Sequence, residues 1–131
     1  MSSPKNICII DDDKIYTFGI KKIIKKYIPH NNVSSFENGK QALDSIQKNY
    51  EDNQELPDLI LLDIDMPEMN GWEFLNEFEP VRAKTEKKVD VFVISSRIKD
   101  EDKLFRVEWD EKVSDFIQKP VEIETLKNLL S

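Results

Sequence analysis

Polar groups capable of chemistry stand directly after short apolar runs in this chain. Ile7-Cys8-Ile9-Ile10 ends on Asp11-Asp12-Asp13, and Leu59-Ile60-Leu61-Leu62 ends on Asp63. Val89 to Ile94 is followed by Ser95-Ser96, and Val113 to Ile117 is followed closely by Lys119-Pro120. Several carboxylates aimed at one point repel one another, and a hard cation relieves that repulsion. Mg²⁺ takes oxygen ligands, few of them from protein, and completes its octahedron with waters and a phosphoryl oxygen. A carboxylate beside such an ion can attack a phosphoryl group and form an acyl phosphate. Transfer then depends on positioning and on neutralising charge at the equatorial oxygens. One ammonium, Lys119, and one hydroxyl, Ser95, would supply this, so the set is chemically sufficient for phosphoryl transfer to an aspartate.

These residues must be brought together by the elements that precede them. Tyr16, Ile20, Ile23, Ile24 and Tyr27 recur at the spacing of one helix face, opposite Lys21, Lys22, Lys25 and Lys26, and Pro29 closes the helix. Val33 to Phe36 reads as a weak strand before a turn at Asn38-Gly39 and a helix burying Ala42, Leu43 and Ile46. Asn49 to Glu55 is polar and reads as a solvated loop. Leu59 to Leu62 is apolar at every position, as expected of a strand buried on both faces. After Pro67 and Asn70-Gly71 comes a helix with Trp72, Phe74, Leu75 and Phe78. A strand from Val89 to Ile94 precedes a helix from about Asp100 with Leu104, Phe105 and Trp109. A strand from Val113 to Ile117 leads to a last helix with Ile123, Leu126, Leu129 and Leu130. Strict alternation implies right-handed crossovers, a parallel sheet and helices on both faces, an α/β fold. In such sheets ligands collect at the carboxyl ends of the strands, where Asp11, Asp12, Asp63, Ser95 and Lys119 fall.

Composition narrows the chemistry to carboxylates. The 131 residues are 39% apolar and 34% charged, the balance of one globular domain over 1–131. With 26 acidic against 19 basic residues, the net charge of -7 argues against binding a nucleic-acid backbone. One cysteine, Cys8, excludes an intrachain disulfide framework, and one histidine, His30, excludes His-rich metal centres. Cys8 reads as a small buried apolar residue, and His30, between Pro29 and Asn31, as a solvated loop residue. The first six residues are polar, and the longest apolar runs are far short of a bilayer span. A cytoplasmic setting without membrane contact is the expectation.

At these residues the sequence resembles the receiver domain of two-component response regulators, a CheY-like family. The matching pieces are Ile9-Ile10-Asp11-Asp12, Pro57 to Asp63 with Met66-Pro67 and Gly71, Ile94-Ser95, and Lys119-Pro120. Each alone is weak, but all are in register over essentially the whole chain. The resemblance implies a flavodoxin-like (βα)5 sheet of order 2-1-3-4-5. It makes Asp63 the phosphoacceptor, with Mg²⁺ held by Asp12, Asp63 and the backbone carbonyl of Asp65, and by Asp11 through a water. Ser95 and Lys119 would contact the phosphoryl oxygens. Phe116 falls where the family places an aromatic whose rotamer follows the Ser95 position; lacking a polar tip, it would couple by packing alone. The implied donor is a sensor histidine kinase or histidine phosphotransfer protein, with an unidentified protein downstream. With no output domain after Leu130, the expectation is a stand-alone receiver, a switch with limited self-catalysis and not a turnover enzyme.

Two departures qualify the match. An acidic Asp65 two residues past the nucleophile is less usual for receivers, and Asp63-x-Asp65 also resembles the first motif of haloacid-dehalogenase-type phosphatases. There the remaining aspartate pair follows later in the chain, whereas here Asp11-Asp12 precede it, and no cap domain fits this length. A binding module that is never phosphorylated is the other alternative. Asp65, Ser96 and Arg97 would tune the lifetime of phospho-Asp63, Asp65 and Arg97 either by pairing to exclude water or by Asp65 orienting it. Asp13 reads as the N-cap of the first helix. The lysines of that helix read as a solvated face, or as a docking face beside the pocket. Trp109 to Val113 lacks the Gly-Ala often seen there.

Overall fold

The computed structural model describes residues 5–28, 30–96 and 100–130. Strands and helices alternate as β1 (Lys5–Ile10), α1 (Lys14–Tyr27), β2 (His30–Phe36), α2 (Gly39–Glu51), β3 (Leu59–Leu62), α3 (Gly71–Lys84), β4 (Asp90–Ser95), α4 (Asp100–Glu108), β5 (Asp115–Gln118) and α5 (Ile123–Leu130). The strands form one parallel sheet in the order β2-β1-β3-β4-β5, the flavodoxin-like arrangement expected.

Alternation along the strands divides the core in two. Ile7 and Ile9 of β1, with Leu59 and Leu61 of β3, pack against Ile20 and Ile24 of α1 and Leu126 and Leu130 of α5. Cys8, Ile10, Ile60 and Leu62 face the other way, onto Ala42, Leu43 and Ile46 of α2 and Trp72, Phe74, Leu75 and Phe78 of α3. The apolar runs are continuous because both faces of the sheet are covered. Burial pushes the Cys8 thiol up to about 12, so it is an inert core residue.

Helix starts are set by short polar side chains that accept from orphan N–H groups. Asp13 accepts from Tyr16 N at 3.0 Å, as expected of an N-cap, and Asn38 accepts from Gln41 N at 2.9 Å. Asn70 and Glu73 form a reciprocal capping box, with bonds of 2.9 and 3.1 Å.

Element ends differ most from expectation in four places. The polar stretch 49–55, read as a loop, begins with the last turn of α2, which Asn53 leaves with φ at 56°; Asn tolerates that left-handed conformation. β2 reaches back to His30, whose backbone pairs with Lys5, because the edge of β1 offers a ladder that polar residues can join. Strand β5 begins at Asp115, two residues later than expected. Helix α4 stops at Glu108, and Trp109 and Val113 are buried in the turn that follows. That turn lacks Gly-Ala but is held from outside: Arg82 of α3 donates to Lys112 O and Val89 O, both at 2.8 Å. Among the described residues no helix is long and apolar enough to cross a membrane.

Ile60 is fully buried in β3, between β1 and β4. Ile60→Ala should cost roughly 2–5 kcal/mol, measured as a lower denaturant midpoint at constant slope.

Candidate functional site

Register places the functional side chains. Ile10 of β1 pairs with Leu62 of β3, and Leu62 pairs with Val93 of β4, so these strands end side by side. The bonds continue just past the ends: Asp11 N donates to Phe36 O at 3.0 Å, Asp63 N to Ile10 O at 2.9 Å and Lys119 N to Ser95 O at 2.8 Å. Asp11, Asp63, Ser95 and Lys119 therefore share one edge of the sheet. A cis Lys119–Pro120 peptide follows β5.

Asp11 and Asp63 are buried and Asp12 is exposed, yet one carboxylate oxygen of each lies within 4.8 Å of the others. The Lys119 ammonium is 2.7 Å from Asp11 Oδ2 and 4.0 Å from Asp63 Oδ2. Asp11 Oδ1 accepts from Asp13 N at 2.9 Å, so both of its oxygens are engaged. Three carboxylates against one ammonium leave an excess of negative charge. Burial, and then the charge of Asp11, push the Asp63 carboxyl up to about 7; Lys119 and a bond from Ile64 N oppose this, and Asp12 adds to it. The donor set is all oxygen, reached by solvent at Asp12, and electrostatically incomplete. It fits a hard divalent cation such as Mg²⁺.

The loop after Asp63 is pressed onto α3 at Gly71. Its N–H bonds Ile64 O at 2.8 Å, and a Cβ there would sit 2.5 Å from Asp63 O, so only glycine allows this approach. Ser95 is buried at the end of β4, whereas Asp65 and Ser96 are exposed. Arg97 lies outside the described residues. Phe116 is half-buried, 6.2 Å from the Trp72 ring and 4.9 Å beneath the Arg106 guanidinium.

Two participants escaped sequence reasoning. Tyr16, read as part of the apolar face of α1, places its ring under Lys119, with the ammonium 4.2 Å from the centroid. Its place in the first turn after the aspartate cluster is the signal that could have found it. Asp102 of α4 is buried and accepts from Trp72 Nε1 at 2.8 Å; nothing in its sequence neighbourhood indicates this.

Fold and edge together define an α/β domain whose polar site lies at the carboxyl ends of a parallel sheet. The chain belongs to the response regulator receiver domain family, whose model matches residues 7–131. It is similar to a two-component response regulator from Cytophaga hutchinsonii, with 27% identity, 98% of this chain and 95% of that one covered, and a TM-score of 0.79. The phosphorylated cyanobacterial phytochrome response regulator RcpA is 28% identical over 98% of this chain and 89% of its own, with a TM-score of 0.74. A protein-glutamate methylesterase/protein-glutamine glutaminase of Treponema denticola is 32% identical over 87% of this chain, which spans only 28% of that protein. The family match favours the receiver over the phosphatase alternative.

Asp63 binds its proton more tightly folded than unfolded, so its contribution to stability is greatest in acid. It is lost as pH rises from the ordinary 3.8 to about 7. In chelator at pH 8, Asp63→Asn should therefore be more stable than wild type, by on the order of 1–3 kcal/mol. At pH 4 the gap should close; equal thermal midpoints at pH 8 would count against a cost of burying and crowding the charged Asp63.

Proposed function

We propose that the chain is a phosphorylatable switch in which Asp63 accepts a phosphoryl group from a phosphohistidine of a sensor histidine kinase or histidine phosphotransfer protein. The observation that carries this is a buried Asp63 beside both Asp11 and Asp12, 4.0 Å from the Lys119 ammonium, in a receiver-family chain. That a relative with 28% identity is described as phosphorylated supports it. The setting is the cytoplasm.

In the reaction an Asp63 carboxylate oxygen attacks phosphorus, the P–N bond to the donor imidazole breaks, and the imidazole leaves with a proton. The product is an acyl phosphate. Asp12, Asp63 and the Asp65 main-chain carbonyl, with Asp11 through a water, would hold Mg²⁺. Bound Mg²⁺ supplies the positive charge that the cluster lacks, at the carboxylates and at the phosphoryl oxygens. Lys119 neutralises one phosphoryl oxygen and the Ser95 hydroxyl donates to another. Asp65, Ser96 and Arg97 tune the lifetime of the product. Phe116 responds to Ser95 by packing, since its ring has no polar tip, and the resulting change of surface is read by a downstream protein.

With Mg²⁺ and acetyl phosphate, intact mass should rise by one phosphoryl group. Chelator or Asp63→Asn should abolish the increase. No increase with either acetyl phosphate or a phosphorylated kinase would overturn the reading.

The donor is expected to dock on α1. There Ile15 is 86% and Phe18 61% exposed, and the lysines of α1 supply positive charge on an otherwise acidic chain. Charge reversal at Lys22 and Lys26 should slow transfer from the cognate kinase by roughly tenfold while leaving the acetyl phosphate rate unchanged, since charge complementarity acts on encounter. An unchanged kinase rate would leave the lysines a solvated face.

A further inference from the structure

We propose that Tyr16 is a positioning residue for the phosphoryl transfer, its ring face forming a seat that holds the Lys119 ammonium at the pocket. The inference rests on the phosphoacceptor reading of Asp63 and adds a residue to it.

Three observations carry it. The Lys119 ammonium lies 4.2 Å from the Tyr16 ring centroid. The same ammonium is 2.7 Å from Asp11 and 4.0 Å from Asp63, with only 14% of the side chain exposed, so it has lost most of its water. A desolvated ammonium over an aromatic face gains more than an exposed one. The Tyr16 hydroxyl, finally, is buried and finds no hydrogen-bond partner among the described residues. A buried hydroxyl without a partner is a cost to the fold, so the hydroxyl does not account for the residue's place. The ring face does.

The seat gives Lys119 a second hold besides its anions. Asp11 alone would draw the ammonium onto itself, and the long lysine stem has rotamers to follow it. A ring beneath the ammonium adds an attraction that neither neutralises it nor competes for the hydrogen bonds it must donate to a phosphoryl oxygen. The ring stays a neutral phenol, because burial and then the charges of Asp11, Asp63 and Asp13 push it up to about 12. α1 carries this side chain onto the sheet face that it shares with α5, where Tyr16 packs against the same core as Ile117 and Val121, which precede and follow Lys119 in the chain.

The test is a double-mutant cycle on the acetyl phosphate reaction, followed by intact mass. Tyr16→Leu should slow phosphorylation of Asp63 roughly 3- to 30-fold, the range of a cation–π contact from exposed to desolvated. Tyr16→Phe, which keeps the ring, should rescue most of that loss. In a Lys119→Met background the further change to Leu should cost less than about 2-fold, because the seat then has no occupant. A second readout needs no phosphorylation: in metal-free protein the Lys119 methylene protons beside the ammonium should be shifted upfield by the ring. The shift should persist in Tyr16→Phe and vanish in Tyr16→Leu. A Tyr16→Leu rate equal to wild type, an equal loss in both Lys119 backgrounds, or an unshifted Lys119 would each overturn the proposal. A wild-type chain that gains no phosphoryl group overturns the phosphoacceptor reading instead, and the methylene shift then decides the seat by itself.

Discussion

Repulsion among Asp11, Asp12 and Asp63 is the constraint on which the site depends. The sheet forces the first and third into a buried edge, where their charges are felt strongly, and leaves the second open to solvent. Lys119 offsets part of the field through its 2.7 Å contact with Asp11, and burial, together with what remains of that field, raises the Asp63 carboxyl to about 7. A site held in this state is responsive: any added positive charge, or any new oxyanion, changes the balance at once. The same crowding that destabilises the edge in isolation makes it receptive to a cation and to chemistry on Asp63.

The edge is also in packed contact with α4. Gly71 lets α3 touch the backbone of Asp63, and the next residue, Trp72, bonds Asp102 and stacks on Phe105 at 5.4 Å. Phe116 leans on Trp72 from β5 and lies under Arg106. Ile64, Trp72, Ser95, Asp102 and Phe116 line one small cavity, so the loop after Asp63, the end of β4 and α4 meet in a single packed region. Beyond it α4 presents Leu104, 79% exposed, and Val107. The contacts form an unbroken path from the carboxylate edge to an apolar outer face.

Much of this was legible from residue order. The runs at Ile7–Ile10 and Leu59–Leu62 read as strands, the second as one covered on both sides, and their ends located the carboxylates. The helix start at Asp13 followed from short-range hydrogen bonding, which needs no tertiary information, whereas Asn38, read as part of a turn, caps α2. The misread places were those where partners came from elsewhere in the chain. His30 lies in β2 because β1 offers it a ladder. The turn after α4 is held by Arg82 rather than by small residues of its own. Asp102 is buried because an indole N–H reaches it.

The sequence by itself determined which residues lie at the carboxyl edge, since apolar runs must be buried and the polar residue after each run is delivered to the same side of a parallel sheet. Only the tertiary structure decided how those residues divide their charge. Whether Lys119 rests nearer Asp11 or Asp63, and that Tyr16 lies beneath it, depend on how α1 packs on the sheet face that it shares with α5. That packing comes from side-chain contacts between segments far apart in the chain, which no local pattern encodes.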